Sequence, residues 1–227
     1  MDREILALPI LIGVLSLSGC ATRALSSFEN SSGVIDRVQT LNKVTAQVEC
    51  HGYDDPANAQ KAQSAILLME RVLNSPNFRE KVKGFKFNKR GRNGNLGYSN
   101  DEVLAIVLSG TDIDTLTSAK SEQEIKDATP GVLKLKLNLD KVSPREIGHT
   151  NLETNEIFTG VDWFRDNDLC EIAGHYLHEY THTVGFGHTF FDVFNRASSV
   201  PYGLGDIGVD VAKELTGGTC THSPVNP

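Results

Sequence analysis

The stretch His178-Glu179-Tyr180-Thr181-His182-Thr183-Val184-Gly185-Phe186-Gly187-His188 decides how the rest of this chain is read. On an α-helix, side chains four residues apart sit one turn apart on the same face, so His178 and His182 can reach a single metal ion. Glu179, next to the first histidine, can touch a water on that metal without being a ligand. Gly185 can take the positive φ that commonly ends a helix. The chain then turns and can return His188 to the same metal. The third histidine, six residues after the second with a glycine between, makes the set far more specific than the first five residues alone.

The residues upstream support a helix. Asn167 or Asp166 can cap its start, with Asp168 and Glu171 in the first turn. From Leu169 onward, Leu169, Ile172, Ala173, Tyr176, Leu177, Tyr180 and Val184 cluster on one face at about 100° per residue. His175, His178, Glu179 and His182 project from the opposite side. His175, three residues before His178, reads either as a support for a metal ligand or as a surface histidine. His51, His149 and His222 stand outside any motif, and no role is assigned to them.

Residue by residue, the stretch resembles the zinc signature of the metzincin metallopeptidases. That resemblance implies Zn2+ held by His178, His182 and His188, with Glu179 as the general base. It implies a fold of the α+β class, a mixed twisted sheet with an active-site helix and a small C-terminal helical subdomain. One departure is plain. Metzincins carry a methionine turn beneath the metal, and here the only methionines are Met1 and Met69. The stand-in is Ser198-Ser199-Val200-Pro201-Tyr202. Val200 can supply apolar contact under the histidines, and Pro201 stiffens the turn. Tyr202 resembles in placement a tyrosine that some metzincins use near the metal, where it can donate to a developing oxyanion; a packing role is the other reading. Asp206 can cap a following helix with apolar positions Ile207, Val211, Ala212 and Leu215, closed by Gly217-Gly218.

Working back toward the N-terminus, Leu133, Leu135, Leu137 and Leu139 alternate with Lys134, Lys136 and Asn138, predicting a strand with one wet face over 132–139. Val103–Leu108 is continuously apolar and reads as a central strand. Ser121–Ala128 reads as a short helix, and residues 143–166 as turn-rich. Strand character is expected at Phe85–Phe87, and 89–97 reads as a solvated basic turn. Pro76 opens a short turn or helix. Asp54-Asp55-Pro56 signals the start of a helix to about Leu73, with a stripe of Ala62, Ala65, Ile66, Met69, Val72 and Leu73. Val34, Ile35, Val38, Leu41, Val44 and Val48 recur at helical spacing, which predicts a helix from about Ser32 to Glu49. An exposed sheet edge is the natural rail for an extended peptide, and the 132–139 strand or Phe85–Phe87 are the expected suppliers.

Residues 5–17 are almost wholly apolar, the length of a signal-peptide core and too short for a comfortable membrane span. Leu17-Ser18-Gly19-Cys20 resembles a bacterial lipobox, which implies lipid on Cys20. With Ala21 after the cysteine, the expected place is the bacterial envelope, at the outer membrane. The organisation that follows is 1–19 signal peptide, 20–32 tether, and 33–227 one metallopeptidase domain, divided into 33–185 and 186–227. Three cysteines remain, which permits one internal disulfide, and Cys170–Cys220 is the preferred pair over those involving Cys50.

The 227 residues are 39% hydrophobic and 22% charged, enough to bury a core. A net charge of -7 argues against non-specific nucleic-acid binding. The expected function is a monomeric zinc endopeptidase acting on a peptide or protein substrate through metal-activated water, without a nucleic-acid partner. Two other readings are carried: a zinc amidase acting on cell-wall peptides, and an envelope lipoprotein whose metal site is not catalytic.

Overall fold

The computed structural model describes residues 43–88, 94–118, 131–143, 146–188 and 196–221. These form a mixed α+β fold of four strands and seven α-helices. The order is β1 (Thr45–His51), α1 (Pro56–Leu73), α2 (Pro76–Gly84), α3 (Asn100–Ser109), α4 (Ile113–Ser118), β2 (Val132–Asp140), β3 (Gly148–Asn151), β4 (Glu156–Gly160), α5 (Val161–Asp166), α6 (Leu169–Thr183) and α7 (Val200–Leu215). The sheet runs β1-β2-β4-β3, with β1, β2 and β4 parallel and β3 antiparallel to β4. Leu133, Leu135, Leu137 and Leu139 of β2 are buried while Lys134 and Lys136 are exposed, so the predicted wet face is present.

Helix α1 starts where the sequence signals it. Asp55 caps it by accepting from the Ala57 amide at 2.8 Å, and Pro56 occupies the first turn. Its predicted stripe is buried throughout. The far end of α1 fastens β1. Asn74 accepts from the Val44 amide at 2.7 Å and donates to the Val44 carbonyl at 2.8 Å, and Glu70 accepts from the Ala46 amide at 2.5 Å.

Several expectations are corrected. Thr45–Glu49 belongs to a strand, not to the end of a helix, because pairing with β2 from Thr45↔Val132 to His51↔Asn138 overrides the local spacing. Val103–Leu108 lies in a helix, not a central strand. Ser99 and Glu102 form a capping box that starts α3, Gly110 at φ 82° ends it, and Val103 to Ser109 are all buried. A helix buried on every side shows no amphipathic period. Phe85–Phe87 pairs with no strand among the described residues. Their rings lie tilted at 51° with centres 4.7 Å apart and pack on Gly203 of α7, where a Cβ would stand 2.6 Å from Phe85 Cε1. Residues 143–166 hold β3, β4 and α5 rather than turns alone. Asp206 lies inside α7, which begins earlier, after Ser199. The predictions for 1–42 and 121–128 lie outside the described residues, as does most of the basic turn at 89–97.

Cys170 and Cys220 are joined, tying the chain beyond α7 to the first turn of α6. Cys50 lies on β1, outside any disulfide formed by the described residues. Among the described residues, no helix is long and apolar enough to cross a membrane.

Candidate metal centre

Helix α6 positions the first two histidines and the glutamate. Asp168 caps it, its Oδ1 accepting from the Cys170 amide at 2.9 Å and the Glu171 amide at 3.0 Å. The cap is therefore one residue later than Asn167 and two later than Asp166. The predicted apolar face, from Leu169 to Val184, is buried throughout. Gly185 takes φ 104° and ends the turn, and the Phe186 amide donates to the Thr181 carbonyl at 3.0 Å. Phe186 is 1% exposed and anchors the returning chain.

That return brings the three histidines together. His178, His182 and His188 each offer one ring nitrogen, and these lie within 4.8 Å of one another, so the group can hold a metal ion. His178 Nε2 and His188 Nε2 are 3.2 Å apart. His182 Nδ1 lies 2.8 Å from the Phe186 carbonyl oxygen. A carbonyl only accepts, so Nδ1 carries the proton and Nε2 keeps its lone pair for the shared centre. Burial lowers the His182 pKa, with the Phe186 carbonyl opposing, which favours the neutral, ligating form.

Glu179 is 5% exposed. Its Oε2 accepts from the Thr150 hydroxyl at 2.7 Å, and its Oε1 lies 3.9 Å from His178 Nε2. Burial pushes its pKa up to about 7; the Thr150 hydrogen bond opposes this and nearby Glu146 adds to it. His175 is no surface histidine. Its side chain is 7% exposed, with Nε2 3.1 Å from Thr159 Oγ1 and the ring 5.0 Å from that of Trp163. Burial lowers its pKa to about 3, so it is neutral.

Tyr202 stands at the same centre. Its ring is 4.5 Å from that of His178, edge to face, and 4.8 Å from that of His188. Val200, just before it, is fully buried. Glycines bring α7 this close to α6. A Cβ on Gly205 would stand 3.1 Å from His178 Cβ, and one on Gly174 would stand 2.3 Å from Val209 Cγ2. The cluster of Gly203, Gly205 and Gly208 inside a helical pattern is the signal that could have revealed this crossing, but the helix was expected to start only at Asp206.

The histidines, Glu179 and Tyr202 line an open cleft of about 1200 Å³, whose walls include Thr150, His149 and Leu152 from the β3 side. Thr150 and Thr159 carried no sequence signal; only the sheet register places them here. In comparisons with known proteins, no family model, curated protein or solved structure gives a significant match to this chain.

Proposed function

We propose that this protein is a zinc-dependent endopeptidase of the metzincin kind, exported and anchored to the bacterial envelope through lipid on Cys20. The observation that carries the reading is the convergence of His178, His182 and His188 beside the buried carboxylate of Glu179. A purely structural site needs no base beside its first ligand.

The donor set suits zinc, since three neutral imidazoles leave a fourth position open. Two nitrogens bound to one tetrahedral zinc at about 2.05 Å stand roughly 3.3 Å apart. The 3.2 Å between His178 Nε2 and His188 Nε2 agrees with that spacing. When bound, the zinc acidifies a water and polarises the scissile carbonyl. Glu179 Oε1 takes the water proton and passes it to the leaving amine. Tyr202 lends its hydroxyl to the oxyanion that develops on the substrate.

The peptide rail is corrected from the expected one. β2 lies between β1 and β4, so its edges are taken. β3 pairs only with β4 among the described residues, and Thr150 on it touches Glu179. We assign the rail to the outer edge of β3, where an extended substrate gains main-chain hydrogen bonds beside the base. The Cys170–Cys220 disulfide supports export, because such bonds persist in oxidising compartments.

The test is metal removal and return. The purified chain is dialysed against 1,10-phenanthroline, and cleavage of unfolded casein is followed by mass spectrometry before and after zinc is added. Cleavage that vanishes with the metal and returns with one equivalent of zinc is expected. One bound zinc with no cleavage of any peptide overturns the reading, and cleavage confined to cell-wall peptides replaces it with an amidase.

A further inference from the structure

The face that the sheet turns toward α6 changes character at β3 and β4. Cross-strand partners share a face, so Gly148 with Thr159, and Thr150 with Ile157, look the same way. That face meets His175 and Glu179, one turn apart on α6. Thr159 Oγ1 lies 3.1 Å from His175 Nε2, and Thr150 Oγ1 lies 2.7 Å from Glu179 Oε2 and 3.0 Å from the Glu179 main-chain oxygen. Gly148 leaves the space: a Cβ there would stand 2.7 Å from His175 Cε1.

A histidine, a glutamate and two threonines set between a sheet and a helix are expensive to desolvate unless each finds a partner. Apolar side chains would make the same contact at less cost, so stability alone does not account for the choice. The geometry divides the two carboxylate oxygens. Oε2 is held by the Thr150 hydroxyl. Oε1 is 3.7 Å from His175 Nδ1, beyond a hydrogen bond, and 3.9 Å from His178 Nε2. Rotating the carboxylate away from the histidines breaks the 2.7 Å bond, the shorter and charge-assisted one of the two that Thr150 can make.

We propose that Thr150 is a positioning residue that holds the Glu179 carboxylate with Oε1 on the side of His178, so that the edge strand β3 sets the orientation of the base. What Oε1 then does rests on the peptidase reading; how it is held does not. Thr150→Val keeps the shape and removes the donor, and Thr150→Ser restores the donor. Both full-length variants are compared with the unmodified chain for zinc content, zinc affinity, and kcat and KM on unfolded casein. Crystal structures of the zinc-loaded forms complete the comparison.

In Thr150→Val, zinc affinity and KM are expected to stay within about twofold while kcat falls about 10- to 100-fold. Thr150→Ser recovers kcat to within about threefold, since only the donor is needed. In the crystal structure of Thr150→Val the carboxylate turns away from the histidines. Unchanged kcat in Thr150→Val, no recovery in Thr150→Ser, or an unmoved carboxylate overturns the proposal. If the unmodified chain binds zinc and cleaves nothing, the peptidase reading fails, and the carboxylate orientation alone decides the role of Thr150.

Discussion

Lys61 and Glu179 are both charged side chains withdrawn from solvent, at 8% and 5% exposure, and their surroundings differ in kind. Lys61 reaches from α1 to the last turn of α5. Its Nζ donates to the Phe164 carbonyl at 2.6 Å and the Arg165 carbonyl at 2.9 Å, and sits 5.1 Å from the centre of the Phe164 ring. Burial lowers its pKa, while Asp166 and Asp168 pull the other way. Those carbonyls are the unsatisfied end of a helix, where a cation is favourable. Every partner of Lys61 named here lies within the fold. Glu179 has one oxygen bound to Thr150 and the other 3.9 Å from His178 Nε2, in the wall of an open cleft. A buried charge whose partners all lie inside the fold acts as a clamp. One that leaves an atom facing a cleft is available for chemistry.

This contrast predicts opposite outcomes for substitutions on its two sides. Lys61→Met leaves two carbonyls without their donor. It is expected to lower the unfolding free energy by about 3 to 5 kcal/mol in urea titrations. The molecules that remain folded keep their zinc and their kcat. A loss below about 1 kcal/mol would remove Lys61 from the clamp role. Tyr202→Phe tests the other side. It is expected to lower kcat about 100-fold, equivalent to about 2.7 kcal/mol, with zinc content, KM and unfolding midpoint unchanged. An unaltered kcat would leave Tyr202 as packing against the His178 and His188 rings.

The site was legible in the sequence where its logic is local. His178, Glu179, His182, Gly185 and His188 lie within one helix and its turn, so spacing alone places them. Tyr202 could be named only through the family resemblance, and Cys170–Cys220 from the places of the two cysteines, at the start of the motif helix and in the tail. What was missed depends on pairing between distant segments. β1 resembles a helix until β2, some 80 residues later, pairs with it. The helix α3 was misread because burial on all sides erases its period, although Ser99 and Glu102 already carried a capping-box signal. Thr150 is one threonine in a four-residue strand, and nothing around it distinguishes it until β3 lies against α6. The edge strand was misassigned for the same reason: the alternation in β2 shows a wet face but not which strands flank it.

The most direct measurement is the hydrolytic rate of Glu179→Gln on unfolded casein, taken with its zinc content on the same sample. Glutamine keeps the shape and can still accept from Thr150, but it cannot take a proton from water. One zinc per chain with hydrolysis reduced at least about 100-fold is the expected result. Hydrolysis at the unmodified rate with zinc still bound would contradict the assignment of Glu179 as the base.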